Sequence, residues 1–72
     1  MNAMAAPFEL LLSDRQRRVL ELRIQGRGRR QIAHILGVSV WTVHADMARA
    51  RETMGVSDEV ELLIAYDRRG RP

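Results

Sequence analysis

The stretch Gln31–Arg51, QIAHILGVSVWTVHADMARAR, decides the fold. It divides at Gly37 into two helical patterns. Before the glycine, Ile32, Ala33, Ile35 and Leu36 recur at i, i+1, i+3 and i+4, the spacing of one apolar helix face. After it, Val43, Met47, Ala50 and Met54 fall within roughly 60° of one another at about 100° per residue, which makes a second apolar stripe. The joint is short. Gly37 suits a left-handed helix end, Val38 can plug the crossing, and Ser39 is placed to cap a helix running through Met54 to a stop at Gly55. Ala33 is small enough to let the two helices cross closely.

Two helices joined by a short glycine-containing turn, the second opening on serine, form the layout of a DNA-binding helix-turn-helix. The second helix would project into a major groove about 12 Å wide. Away from its apolar stripe it presents Trp41, Ala45, Ala48 and, further along, Glu52, flanked by His44 and Arg49. The alanines allow the backbone to approach the bases and can touch thymine methyls, while His44 and Arg49 can donate to base edges or phosphates. Thr42 and the free amides at this helix's start can hold a phosphate, as can Arg29 and Arg30 at the start of the preceding helix. The expected DNA-binding set is therefore Arg29, Arg30, Trp41, Thr42, His44, Ala45, Ala48 and Arg49. Asp46 is expected to share the surface that carries Trp41.

Outward from this pair, Ser13 and Gln16 have capping-box spacing and open a first helix whose apolar face is Val19, Leu20, Leu22 and Ile24, with Gly26 as its stop. Gly28 can cap the next. Downstream, Ser57 is expected to cap a fourth helix, with Glu59 and Glu61 near its positive end. Val60, Leu63 and Ile64 are expected to turn inward. Leu62 and Tyr66 would then stay exposed as the dimer interface, since an exposed apolar strip often marks one. The result is an all-α domain of four short helices. Residues 1–12 form an arm and hydrophobic lead-in, 13–67 the helix-turn-helix domain, and 68–72 a basic tail.

Composition narrows the function. Seventy-two residues make one small domain, and such a chain buries only about 60% of its unfolded surface. Three aromatics leave little for base stacking or a cofactor pocket. The net charge is +3, yet all twelve basic residues are arginine; seven of them, Arg15, Arg17, Arg18, Arg23, Arg27, Arg29 and Arg30, crowd the first half, while Asp58, Glu59, Glu61 and Asp67 fall near the end. That asymmetry suggests a polyanion-facing side and a different side. No cysteine is present, so neither a disulfide nor a thiolate metal site is available. The opening MNAMAAPFELLL lacks a basic leader and a span-length apolar run, which points to a cytoplasmic protein, nucleoid-associated when bound to DNA, with no membrane partner.

The segment Leu12–Ala65 resembles the LuxR/GerE-type DNA-binding domain of bacterial transcription regulators. The motifs that carry the likeness are LSDRQRRVLEL, QG, QIAHILGVSVWTVHADM and MGVSDEVELL, over about three quarters of the chain. The resemblance implies four helices, the third in the major groove, and dimer contacts through the fourth. It places His44, Ala45 and Ala48 where the family reads bases and Thr42 where it contacts phosphate. Departures from the family's usual pattern fall at Gln16, Trp41, His44, Asp46 and Ala50, so the operator is not inherited. By this resemblance the chain is expected to be a stand-alone, GerE-like regulator, without a receiver or ligand-sensing domain, acting as a homodimer.

Other readings weigh less. Trp41 could fold back on the lead-in Leu10–Leu12 instead of meeting DNA. His34 and His44 lie on different helices without organised carboxylate partners, which disfavours a metal site, and His34 is expected at the surface. Capping accounts for Ser13 and nothing orients a base, so no enzyme and no cofactor are expected. Arg17 and Arg23 are expected on a solvated face, Arg17 pairing with Glu21. A different class of function is a sigma-factor-region-four-like adaptor that contacts RNA polymerase or a sigma factor. The ARAR run and Trp41 suit it, whereas the GVSDEVELL continuation favours the LuxR type.

Overall fold

A computed structural model describes residues 11–69, with the side chain of residue 69 left aside. Among these residues the chain is four helices and no strand: α1 (Asp14–Ile24), α2 (Arg29–Leu36), α3 (Val40–Met54) and α4 (Glu59–Arg69). The expected arm over residues 1–10, including Leu10, and the last three residues of the basic tail lie outside the described residues.

Local chemistry sets the helix boundaries. Ser13 and Gln16 form the capping box: the Gln16 amide donates to Ser13 Oγ at 3.0 Å and the Ser13 amide donates to Gln16 Oε1 at 3.0 Å. Gly28 starts α2 without a side-chain cap bond, and Gly37 ends it at φ 70°, a left-handed conformation that costs glycine nothing. There the Val38 amide reaches back to the Ala33 carbonyl at 3.0 Å, closing the turn. Ser39 Oγ accepts from the Thr42 amide at 3.1 Å and opens α3. The cap of α4 moves by one residue from the expected Ser57: Asp58 Oδ1 accepts from the Glu61 amide at 2.9 Å, while the Ser57 amide donates to Glu61 Oε1 at 3.1 Å. Both residue types cap well, so the boundary can shift by one position.

The core joins all four helices. Val19 and Leu20 of α1, Ile32 and Ala33 of α2, Val43, Met47, Ala50 and Met54 of α3, and Leu62 and Tyr66 of α4 are buried together with Leu12. Of the described lead-in residues, Leu12 enters the core while its neighbour Leu11 stays exposed.

Three expectations about packing need correction. Leu62 and Tyr66, read as an exposed dimer strip, have no exposed surface, whereas Val60 and Ile64 are 67% and 51% exposed and Leu63 is half-buried. The register follows from α1, because the Tyr66 hydroxyl donates to Glu21 Oε2 at 2.9 Å and turns that side of α4 inward. Ile35, expected inside, is exposed. Arg17 and Arg23 are half-buried and engaged: Arg17 pairs with Asp14 and donates to the Leu12 carbonyl, and Arg23 pairs with Glu59 across helices.

Candidate nucleic-acid interface

Helix α3 is the centre of the candidate site. Its fifteen residues give a rod about 22 Å long. Val43, Met47, Ala50 and Met54 are all buried, as the periodicity requires, and this fixes the rotation of the helix about its axis. Trp41, His44, Ala45, Arg49 and Glu52 are therefore exposed, and Thr42 and Ala48 are half-buried at the edge. Most of the residues expected to meet DNA thus lie on one outward surface.

The start of α3 has a defined arrangement. Ser39 Oγ lies 3.1 Å from Thr42 Oγ1 as well as capping the Thr42 amide, so the serine orders the first turn and the threonine hydroxyl together. Trp41 is 80% exposed and so is not packed against Leu11 or Leu12, the described part of the lead-in. Its ring meets His44 edge to face, with centroids 6.4 Å apart and planes at 90°. Arg29, Val40, Trp41 and His44 line a shallow depression of about 320 Å³. Residues from the starts of α2 and α3 thereby share one surface, as a phosphate-and-base reader on a helix-turn-helix requires.

Two features of the site were not legible locally. Asp46, expected on the Trp41 surface, is 4% exposed and faces α1. Arg15 grips it with both arms of the guanidinium: Nε donates to Oδ2 at 2.7 Å and Nη2 to Oδ1 at 3.1 Å. The hydrogen bond to Asp46, followed by its charge, raises the Arg15 pKa above the ordinary arginine value. Asp46 is thus a structural tie between α1 and the middle of α3. One hint was available, since Asp46 sits only about 60° around the helix from Val43 and so at the edge of the core stripe.

The second feature is Glu59, which sequence reading treated only as a dipole-matched charge. It bridges Arg23 Nε at 2.7 Å and Arg29 Nη2 at 2.8 Å, tying the first turn of α4 to α1 and α2. Arg29 is therefore occupied in the free protein. Arg30 and Arg49 are exposed and form no ion pair among the described residues.

The likeness to known proteins agrees with this geometry. The family model of bacterial regulatory proteins of the luxR family matches residues 10–66, and the chain belongs to that family. It is similar to the transcriptional regulatory protein UhpA of Escherichia coli (strain K12), with 45% identity over 51 residues, 71% of this chain and 26% of that protein. The UhpA of Salmonella typhimurium (strain LT2) matches at 45% over the same shares. The chain thus spans about a quarter of the length of these curated relatives. No solved structure matches it. Among the described residues no helix is long and apolar enough to cross a membrane.

Proposed function

We propose that this chain is a sequence-specific transcription regulator that binds double-stranded DNA with α3 in the major groove. The observation that carries the reading is the division of α3 into a buried face and an opposite, uncommitted face of His44, Ala45, Ala48 and Arg49. Ala45 and Ala48 bring the helix backbone close to base edges, and His44 and Arg49 supply donors. Thr42, Arg29 and Arg30 hold phosphates, and Trp41 packs against the sugar-phosphate wall. The protein acts in the cytoplasm, nucleoid-associated when bound, and works without a cofactor or catalytic chemistry.

The homodimer reading moves to the surface that α4 leaves open. Val60 and Ile64, with the half-buried Leu63 beside them, form its outer apolar strip. Two copies joined there would read half-sites about 10–10.5 base pairs apart, centre to centre, or a multiple.

Selection from random duplex DNA, followed by binding to the winner across a salt series, tests the proposal. A two-fold site and a linear fall of log affinity with log salt are expected. Arg30→Ala should weaken all sequences alike and reduce the salt slope by about 1, whereas His44→Ala should change the base preference. The opposite pattern would reverse the assigned roles.

A second reading rests on Trp41. An indole 80% exposed beside exposed Val40 also suits a protein partner, RNA polymerase or a sigma factor. Capture of polymerase without duplex binding at low salt would favour this reading over the first.

A further inference from the structure

Glu59 has a place in the fold but none in the DNA-binding surface as described. Its side chain is 21% exposed, and its two oxygens are divided between two arginines. Arg23 is held twice, by Glu59 and by the Arg27 carbonyl at 3.2 Å, and belongs to the α1–α4 contact. Arg29 is different. It is the first residue of α2, its side chain is 42% exposed, and it borders the depression formed with Val40, Trp41 and His44. The guanidinium that Glu59 holds is thus one that stands at the surface proposed to meet DNA.

We propose that Glu59 is an intramolecular competitor for the phosphate at Arg29: in the free protein the carboxylate occupies the guanidinium, and duplex binding exchanges it for a phosphate oxygen. The inference rests on the DNA-binding reading above. Carboxylate and phosphate are alternative acceptors for the same N–H fork, so Arg29 cannot serve both fully. The exchange is feasible because Arg23 stays on Glu59 and the carboxylate is never left bare. Arg30, next in the chain, is exposed and displaces nothing when it meets a phosphate. Glu59 therefore lowers affinity for every sequence alike, since its charge opposes the backbone and its bond to Arg29 must be broken. The same bond fastens α4 to α2, so affinity is lost where stability is gained.

The test is Glu59→Gln, measured by fluorescence anisotropy on a mixed-sequence duplex between about 50 and 200 mM salt, with thermal melts of each variant. Affinity should rise on the order of threefold to tenfold, and the slope of log affinity against log salt should steepen by up to about 0.9, the share of one further phosphate. The melting temperature should fall at the same time. In an Arg29→Ala background the same substitution should leave the slope unchanged. Glu59→Asp, one methylene shorter, keeps the charge in the first turn of α4 but cannot span both arginines. It should show the same direction with a smaller change, and it carries the test should Glu59→Gln melt too low to assay. Folded Glu59 variants that bind more weakly, or with an unaltered slope, would overturn the competitor and make Glu59 a support for Arg29. Wild-type protein that fails to bind duplex at low salt would instead sink the DNA reading itself.

Discussion

Replacing Leu62 by alanine removes a side chain with no exposed surface from the contact between α4 and the rest of the core. Three carbon groups leave, at about 0.8 kcal/mol each, and the space they vacate raises the loss to roughly 3–4 kcal/mol. A domain of this size shifts its melting temperature by about 4–8 °C per kcal/mol, so a fall of roughly 12–30 °C is expected. Far-UV circular dichroism melts at two protein concentrations, about tenfold apart, provide the assay. The fall should be the same at both, because the contact lies within one chain. Tyr66→Phe provides a finer version: it deletes the hydroxyl that bonds Glu21, with an expected cost of about 1.5 kcal/mol, the low end for a bond to a charged group. A Leu62→Ala protein that melts like wild type when dilute, and differs only when concentrated, would refute the packing argument and return Leu62 to a dimer interface.

Exposed Val60 and Ile64 make the complementary case: Val60→Asp with Ile64→Asp should shift the dilute melt by no more than about 4–8 °C, the range of two surface substitutions, but abolish dimerisation in sedimentation. Ser39→Ala removes the cap of α3 and should cost about 1 kcal/mol, seen as a melting temperature about 4–8 °C lower. In the Arg15–Asp46 pair the two single substitutions should differ in size. Arg15→Ala strands a buried carboxylate and should lower the melting temperature more than Asp46→Asn, which leaves an arginine half in water.

What could be read from the sequence was what short-range chemistry determines. Ser13, Gly37, Ser39 and Gly55 mark their helix ends because each cap is made within a few residues, and the α3 stripe was legible because Val43, Met47, Ala50 and Met54 recur at helical spacing on one face. Helix α4 was harder. Val60, Leu62, Leu63, Ile64, Ala65 and Tyr66 wrap most of its circumference, so periodicity alone could not choose which side turns inward. A partner 45 residues away, Glu21, marks the inward side. The ties to Asp46 and Glu59 were hidden for the same reason, since Arg15 lies 31 residues from Asp46 and Arg23 lies 36 from Glu59. Asp58 replaced Ser57 as a cap because adjacent residues of equal capping ability leave the boundary undetermined by one position.

Helix α3 is secured entirely from one side, by its apolar stripe and by the grip of Arg15 on Asp46. None of His44, Ala45, Ala48 and Arg49 carries a contact on which the described core depends. Under the proposed DNA-binding role, the address read by those four residues can therefore be rewritten without renegotiating the fold: duplicated copies could drift to new operators one substitution at a time with the core left intact.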